Sequence, residues 1–442
     1  MELLKFIRFK NLIDFSVKTY LSNSIQSKFD IVSLGNHIVE QNKRIRPFDF
    51  PEQDFSILGV DNKVGIFDAY IQKGKEINQP YKIVENDFLA YNPYRINVGS
   101  IGLKRENHLH QYISPAYVVF SCKESLYSEF LFLIFKINGF KQIINDNTTG
   151  SVRQNLSFDN LSNIHIPLPD IKIQKSLVSA YQEKIQKAEI LENQAKQIDI
   201  EIEQYLFESL GIQINQNKEV EHKGVLQFIR FKDLEKWNVV NADIITAETV
   251  FLSQKYKNEL ITNYFYINPT TKIPKDINIS FIPMVNISDE YGEITSKESN
   301  KLQNNYTRFQ EGDLLWAKIT PCMQNGKSAI ANDLENGFGF GSTEFHILRI
   351  KNSGFDIRLL HLLLRSQRLL TTAMSYFTGS AGQQRVPKTF LERLTLPILT
   401  NNEQIAIINH IYNLKNTQKQ AKIQAKELRN QAILDFEQAI FV

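Results

Sequence analysis

From Leu177 to Tyr205 the chain places side chains at spacings that alternate between four and three residues: Leu177, Tyr181, Lys184, Ala188, Leu191, Ala195, Ile198, Ile202 and Tyr205. Lys184 is the only strongly polar member, and the series is a heptad seam on a helix. The same spacing returns 230 residues later at Ile407, Ile411, Leu414, Gln418, Ala421, Ala425, Leu428, Ala432 and Asp435, with Gln418 and Asp435 as polar exceptions. Neither run contains Pro or Gly. The pattern predicts one helix from about Ile173 to Leu210, stopped by a left-handed Gly211, and a second from about Glu403 to the chain end. Each helix could pack on its own domain. A stripe this narrow in both copies is instead buried best by an equivalent stripe, which favours the two helices pairing with each other.

Between the helices the pattern changes period. Tyr117-Val118-Val119-Phe120, Phe281-Ile282-Pro283-Met284-Val285 and Phe345 to Ile350 are short, aromatic and β-branched, and read as strands. Ser128 to Ile144 and Asp356 to Tyr376 read as helices, and the polar stretch Gln213 to Lys223 reads as a linker.

The chain is written twice. Phe6-Ile7-Arg8-Phe9-Lys10-Asn11-Leu12 returns 222 residues later as Phe228-Ile229-Arg230-Phe231-Lys232-Asp233-Leu234. Further matches follow in order with slowly growing offsets, as small loop insertions in a duplicated domain produce. Asn86-Asp87-Phe88-Leu89 aligns with Gly312-Asp313-Leu314-Leu315, Ser114 to Val119 with Ser342 to Ile347, Gly150-Ser151 with Gly379-Ser380, and Ile166 to Pro169 with Leu396 to Leu399. The expected division is a domain at residues 1–170, a helix at 171–211, a linker at 212–223, a domain at 224–400 and a helix at 401–442.

Composition adds limits rather than an identity. Over 442 residues, 42% hydrophobic and 22% charged describe a soluble globular protein of two or three folding units. A net charge of +3 permits nucleic acid as a partner without demanding it. Cys122 and Cys322 fit neither a zinc spacing nor a disulfide framework, which suits a reducing cytoplasm. Lys5, Arg8, Lys10, Asp14 and Lys18 interrupt the first residues, so neither a signal peptide nor a membrane span is expected there.

Catalytic motifs fail on inspection. Gln324-Asn325-Gly326-Lys327-Ser328 ends like a phosphate-binding loop, but Pro321 stands where its first glycine would be. Asn92-Pro93-Tyr94 lacks the second proline of an adenine methyltransferase motif, and no glycine-rich turn follows an early strand to hold a methyl donor. His108 and His110 have no metal-ligand spacing, and no Gly-x-Ser-x-Gly elbow occurs. What remains is a binding protein.

Gly379-Ser380-Ala381-Gly382-Gln383-Gln384-Arg385-Val386-Pro387, then Phe390 to Leu394, Leu396-Pro397-Ile398 and Asn402-Glu403-Gln404-Ile405, resembles the end of a target-recognition domain in the specificity (S) subunit of type I restriction-modification enzymes. The first copy carries a shorter version, Gly150-Ser151-Val152-Arg153-Gln154 through Ile166-Pro167-Leu168-Pro169 to Gln174, without the second glycine or the Glu before Gln174. The resemblance covers essentially the whole chain. It implies an α/β (α+β) fold with two tandem target-recognition domains separated by two long antiparallel coiled-coil helices, in pseudo-two-fold arrangement. It also implies a non-catalytic cytoplasmic subunit that binds double-stranded DNA and two methyltransferase (M) subunits. S-adenosylmethionine would sit on those partners, and motor-nuclease (R) subunits would join as optional ones.

Approximately symmetric readers match two half-sites, and because the two domains differ in sequence the target should be asymmetric and bipartite, with an unread spacer. A helix of ~38 residues is about 55 Å long, which accommodates half-site centres roughly 34 Å apart. Candidate DNA contacts are Arg95, Lys104 and Arg105 in the first domain and Lys318, Gln324, Asn325 and Lys327 in the second, all in polar segments flanked by Gly or Pro. Arg153 and Arg385 lie in the duplicated glycine loop, where a structural role at the domain–helix junction comes first and phosphate contact second. Trp237 and Trp316 read as core anchors. The alternatives are a recognition subunit of a different methyltransferase or nuclease system and a coiled-coil adaptor without a DNA role.

Overall fold

The computed structural model describes residues 26–146, 148, 155–213, 245–274, 276–380 and 382–441. Phe6 to Leu12, its repeat Phe228 to Leu234, Arg153 and Trp237 lie outside these residues. The chain divides into two compact units, one running to Glu192 and resuming at Lys422, the other spanning Asn193–Ala421.

In the first unit the strands are β1 (Ile31–Ser33), β2 (Ile38–Glu40), β3 (Arg44–Ile45), β4 (Asp54–Val60), β5 (Ile66–Lys73), β6 (Tyr81–Ile83), β7 (Leu89–Tyr91), β8 (Ile101–Leu103), β9 (Tyr112–Ile113), β10 (Val118–Cys122) and β11 (His165–Pro167). They form an antiparallel sheet β2-β10-β7-β8, a mixed sheet β3-β6-β9-β4-β5 in which β4 and β9 are parallel, and the pair β1-β11. Helices α1 (Ser128–Lys136), α2 (Asn138–Asp146) and α3 (Phe158–Ser162) precede the long α4 (Ile171–Ser209). Helix α1, with Phe130 to Phe135 all buried, lies in the main core beside Tyr91 and Phe120.

The second unit repeats this plan with β12 (Lys257–Leu260), β13 (Phe265–Ile267), β14 (Asn278–Ile282), β15 (Glu298–Lys301), β16 (Thr307–Gln310), β17 (Leu314–Ala317), β18 (Ser328–Ile330), β19 (Phe338–Gly341), β20 (Phe345–Ile350) and β21 (Thr395–Ile398). The sheet orders β13-β20-β17-β18, β16-β19-β14-β15 and β12-β21 match those of the first unit strand for strand, and β14 is parallel to β19 as β4 is to β9. Strand β3 is the addition in the first copy. Helices α5 (Ile357–Leu364), α6 (Gln367–Met374) and α7 (Lys388–Glu392) precede α8 (Asn401–Ile440).

Three details of the sequence reading need correction. The helix expected over Ser128 to Ile144 breaks at Ile137, whose extended backbone (φ −69°, ψ 137°) separates α1 from α2. The one expected over Asp356 to Tyr376 breaks where Ser366 leaves the helical region and its hydroxyl caps the Leu369 N–H. The strand expected over Phe281 to Val285 ends at Ile282, because Pro283 has no N–H to donate and a helical turn follows at Met284–Asn286. The repeat register also moves by one residue at the turn before β7 and β17. Asp87 (φ 64°) and Gly312 (φ 80°) both take the left-handed conformation, and their N–H groups donate to the carbonyls of Lys104 and Ala331, so Asp87 corresponds to Gly312 and not to Asp313.

The long helices meet each domain through one duplicated side chain. Gln174, fully buried, accepts the Tyr127 N–H at 2.8 Å and donates to the carbonyls of Ser125 (2.9 Å) and Pro169 (2.8 Å). Gln404 accepts the Asp356 N–H at 2.7 Å and donates to those of Gly354 (3.0 Å) and Leu399 (3.1 Å). Both locks tie the first turn of a long helix to the residues that open α1 or α5.

Along the seam Ile407 and Ile411 are buried, and Leu177, Leu191, Ile198, Ile202, Leu414 and Leu428 are half-buried. In the first unit Lys184 forms an ion pair with Asp435, and Glu192 accepts both guanidinium donors of Arg429 (2.8 and 2.9 Å), so the helices run antiparallel. In the second unit Gln418 donates to the carbonyl of Ala195 at 2.9 Å, and the rings of Tyr205 and His410 lie 4.1 Å apart. The polar residues of the seam thus find partners.

Two buried histidines make the second unit acid-sensitive. Burial holds His346 down to about 4 against the pull of the Val386 carbonyl, and holds His361, beside Ser328, well below its ordinary value. An unfolded histidine takes its proton near 6.5 while the folded one resists, so stability is full above pH 6.5 and is lost as pH falls toward 4. The expected loss from His346 alone is about 3 kcal/mol. Thermal unfolding of this unit followed between pH 7.5 and 4.5 checks this, and a flat profile would contradict it.

Candidate nucleic-acid interface

A DNA reader needs cations and hydrogen-bonding groups at its surface that are not already committed within the protein. In the first unit Arg95 meets that condition: it precedes the helical turn Ile96–Val98, is exposed, and forms no ion pair among the described residues. Lys104 does not. It is 7% exposed, and its ammonium donates to Asn86 at 2.8 Å, beneath the surface where a loop contact was expected. Arg105 holds Glu129, at the start of α1, in a two-bond pair (2.6 and 2.9 Å), and its guanidinium lies 5.4 Å from the Phe132 ring. Packing β8 against α1 occupies it.

In the second unit the segment Ile319 to Lys327 winds into a compact turn. Met323, Asn325 and Lys327 donate their N–H groups to the carbonyls of Ile319 (2.9 Å), Pro321 (3.1 Å) and Cys322 (3.0 Å). Gln324 and Asn325 are exposed on it, and Lys327 directs its ammonium to the Met284 carbonyl at 3.3 Å. The glycine loop is joined to the foot of this turn: Val386 N–H donates to the Lys318 carbonyl (2.9 Å) and Thr320 N–H to that of Gln384 (3.0 Å). Lys318, Gln324, Asn325, Lys327 and Arg385 therefore belong to one loop cluster.

Arg385 itself pairs with Glu344 through two bonds (2.8 and 2.9 Å), and that hydrogen bonding keeps the Glu344 carboxyl below its ordinary range. Such a pair fixes the loop. Trp316 is fully buried and donates its indole N–H to the Leu364 carbonyl at 3.2 Å, a core anchor that corresponds to Tyr91 in the first unit.

The sequence reading missed one exposed basic and aromatic stretch. Arg44, Arg46, Phe48 and Phe50 alternate with Ile45, Pro47 and Asp49. The period of two was available in the sequence, but the selection of loops by polarity passed over a segment containing two phenylalanines, an isoleucine and a proline. Among the described residues no cluster of His, Cys, Asp and Glu is arranged to hold a metal ion, and no helix is long and apolar enough to cross a membrane.

Residues 70–204 match the family described as the type I restriction modification DNA specificity domain. The type I restriction enzyme EcoEI specificity subunit of Escherichia coli is 38% identical over 146 residues, 32% of this chain and 25% of that protein. The EcoAI specificity subunit of the same organism is 40% identical over 152 residues, 34% of this chain and 26% of that one. Each match spans about a quarter of the relative's length. A solved structure reported as the structural basis underlying complex assembly and conformational transition of the type I R-M system aligns at a TM-score of 0.57 and 14% identity, over 93% of this chain and 97% of that one. That likeness concerns the fold.

Proposed function

We propose, from the match of residues 70–204 to the type I restriction modification DNA specificity domain, that the chain is the sequence-reading subunit of such a complex, with no catalysis of its own. It reads an asymmetric bipartite target in double-stranded DNA in the cytoplasm. Two methyltransferase subunits dock on it and hold S-adenosylmethionine, and motor-nuclease subunits join them when the complex restricts.

The observation that carries this reading is the strand-for-strand repetition of one architecture, with surface loops that differ between the copies. A duplicated scaffold with unlike loops is what two readers of unlike half-sites require. The equivalent glutamine locks support the same reading, since they present each domain to its helix in one way.

The purified chain should transfer no methyl group to DNA, and adding its methyltransferase partner should produce sequence-specific adenine methylation. Methylation by the isolated chain, free of contaminants, would refute the proposal. Exchanging residues 1–165 for those of a relative should then alter one half of the methylated motif and leave the other, which methylome sequencing reads directly.

A further inference from the structure

Strand β3 and the helical turn Pro47–Asp49 form a rigid strip on the mixed sheet of the first unit. Arg44 and Arg46 are exposed and form no ion pair or hydrogen bond through their side chains among the described residues. Phe48 and Phe50 are 41% and 50% exposed, while Pro47 just before them is buried. The nearby acids Glu52, Asp54 and Glu85 are taken up by Lys75 (3.2 Å), Lys73 (2.9 Å) and Lys43 (3.4 Å), which leaves Asp49 as the single uncompensated acid of the segment from Lys43 to Asp54.

A second observation lies beside the arginines. Lys82 on β6 is in register with Arg44, so both side chains project from the same face of the sheet. Lys82 is only 4% exposed and has no hydrogen-bond or ion-pair partner among the described residues. Its burial lowers its proton affinity, and Arg44 adds to the effect against the opposing pull of Glu40. The largely buried Lys82, its ammonium without a partner among the described residues, is reinforced by two free guanidinium groups, and together they leave positive potential at the surface that an external anion would neutralise.

The strip is also held in place before anything binds. Asp49 and Phe50 N–H groups donate to the carbonyls of Arg46 (3.1 Å) and Pro47 (2.9 Å), and Lys75 N–H donates to that of Pro51 (3.1 Å). Gly74 sits so close beneath that a Cβ there would lie 2.1 Å from the Phe50 carbonyl oxygen and 2.3 Å from that of Pro47. Little ordering entropy would be lost on binding.

We propose that this strip is a duplex-DNA contact of the first unit, with Arg44 and Arg46 on backbone phosphates and Phe48 and Phe50 against the apolar edges of a groove. It rests on the recognition function proposed above and adds a contact that the second unit lacks, since β3 has no counterpart there and Thr307 occupies the position of Lys82. The alternation of charge and ring suits it. Arginines supply sequence-independent attraction, and exposed rings supply contact with thymine methyl groups or base steps.

The test uses the full chain assembled with its methyltransferase partner, and two 40-base-pair duplexes, one with and one without the methylated target. Binding is measured from 50 to 300 mM salt. The double variant Arg44→Gln/Arg46→Gln should bind both duplexes roughly 10- to 100-fold more weakly at 150 mM, and the slope of log K against log salt should fall by about 1.8, or ~0.9 for each phosphate no longer neutralised. Phe48→Ala/Phe50→Ala should weaken binding and leave the slope unchanged. Both variants change exposed side chains, so unaltered thermal unfolding serves as the folding control.

An unchanged slope and affinity in the arginine variant would overturn the proposal. So would loss of the methyltransferase partner with normal DNA binding by whatever complex remains, which would assign the strip to a protein partner. The recognition reading stands or falls separately, on whether the wild-type assembly prefers its own target.

Discussion

Gln404→Leu is expected to unfold the second unit or bring it to the edge of unfolding, with a loss of roughly 4–6 kcal/mol. Leucine has similar volume, so the cost comes from the main chain. The Asp356 N–H loses its acceptor, and the carbonyls of Gly354 and Leu399 lose their donor. Gln404 is 1% exposed, so water cannot easily replace those partners. A buried polar group left without a partner costs about 1–3 kcal/mol, and ordinary domains have only about 5–15 in total. Glutamate is the informative control, because it keeps the acceptor for Asp356 but loses both donors. Gln174→Leu should do the same to the first unit. Differential scanning calorimetry reads each transition, and a shift under 1 kcal/mol in either variant would show that the locks are redundant.

A fragment ending near residue 216 should be a poor monomer and should recover order by dimerising. The reason lies in the core of the first unit. Phe436 and Ile440, from the far end of α8, are buried there, with the Phe436 ring 5.6 Å from Phe130 and 6.4 Å from Tyr181. Removing α8 strips that wall away. A second copy of α4 can supply it, since Leu206 and Leu210 stand 230 residues before Phe436 and Ile440 in the same repeat.

The substitute is imperfect. Leu206 fills less space than Phe436, and Lys184 faces Tyr205 in place of Asp435, so micromolar dimerisation is expected. Lys184→Leu should tighten it about a hundredfold, taking roughly 1.5 kcal/mol per copy for the apolar burial, and Leu206→Phe should add to that. With the methyltransferase partner the dimer should methylate a palindrome of the first half-site. Sedimentation equilibrium across a concentration series decides the matter: a strictly monomeric, fully folded fragment would mean that α8 is not needed to complete the first unit.

The long helices were legible because a heptad seam repeats one rule over many turns, so that even Lys184, Gln418 and Asp435 as exceptions do not obscure it. Their partners were not legible, since Lys184 meets Asp435 across 251 residues. The breaks at Ile137 and Ser366 were hidden for a different reason. Asn138-Gly139 stands just past the first break and was passed over, whereas neither Gly nor Pro stands beside Ser366, and apolar residues recur at helical spacing beyond both breaks. At Asp87 the eye aligns identical residues, whereas the fold aligns backbone conformation, and a left-handed turn accepts Asp and Gly alike.

The candidate contacts fared according to what lay far away in sequence. Arg105 read as a free cation because Glu129, which holds it, stands 24 residues away; for Arg385 a structural role came first, but its partner Glu344, 41 residues away, was not legible. Lys104 read as a surface residue because Arg105 to Leu109 after it are polar or exposed, while Asn86, which accepts from its ammonium, stands 18 residues away. Local polarity can nominate a loop, but commitment of a charge is a tertiary fact.

The two glutamine locks make the chain a pair of interchangeable cassettes. Each plug belongs to a helix, and each socket, three main-chain groups, belongs to the domain before it, so the fit is independent of which side chains the domain displays. A crossover after Pro169 or after Leu399 hands over a whole domain with its complete socket, ready for the glutamine of the helix that follows. Hybrid chains cut there keep the lock itself, while a first domain in the second position would meet Leu206 and Leu210 where it now packs on Phe436 and Ile440. Shuffling at two fixed seams can thus exchange one displayed surface for another through a joint that stays the same.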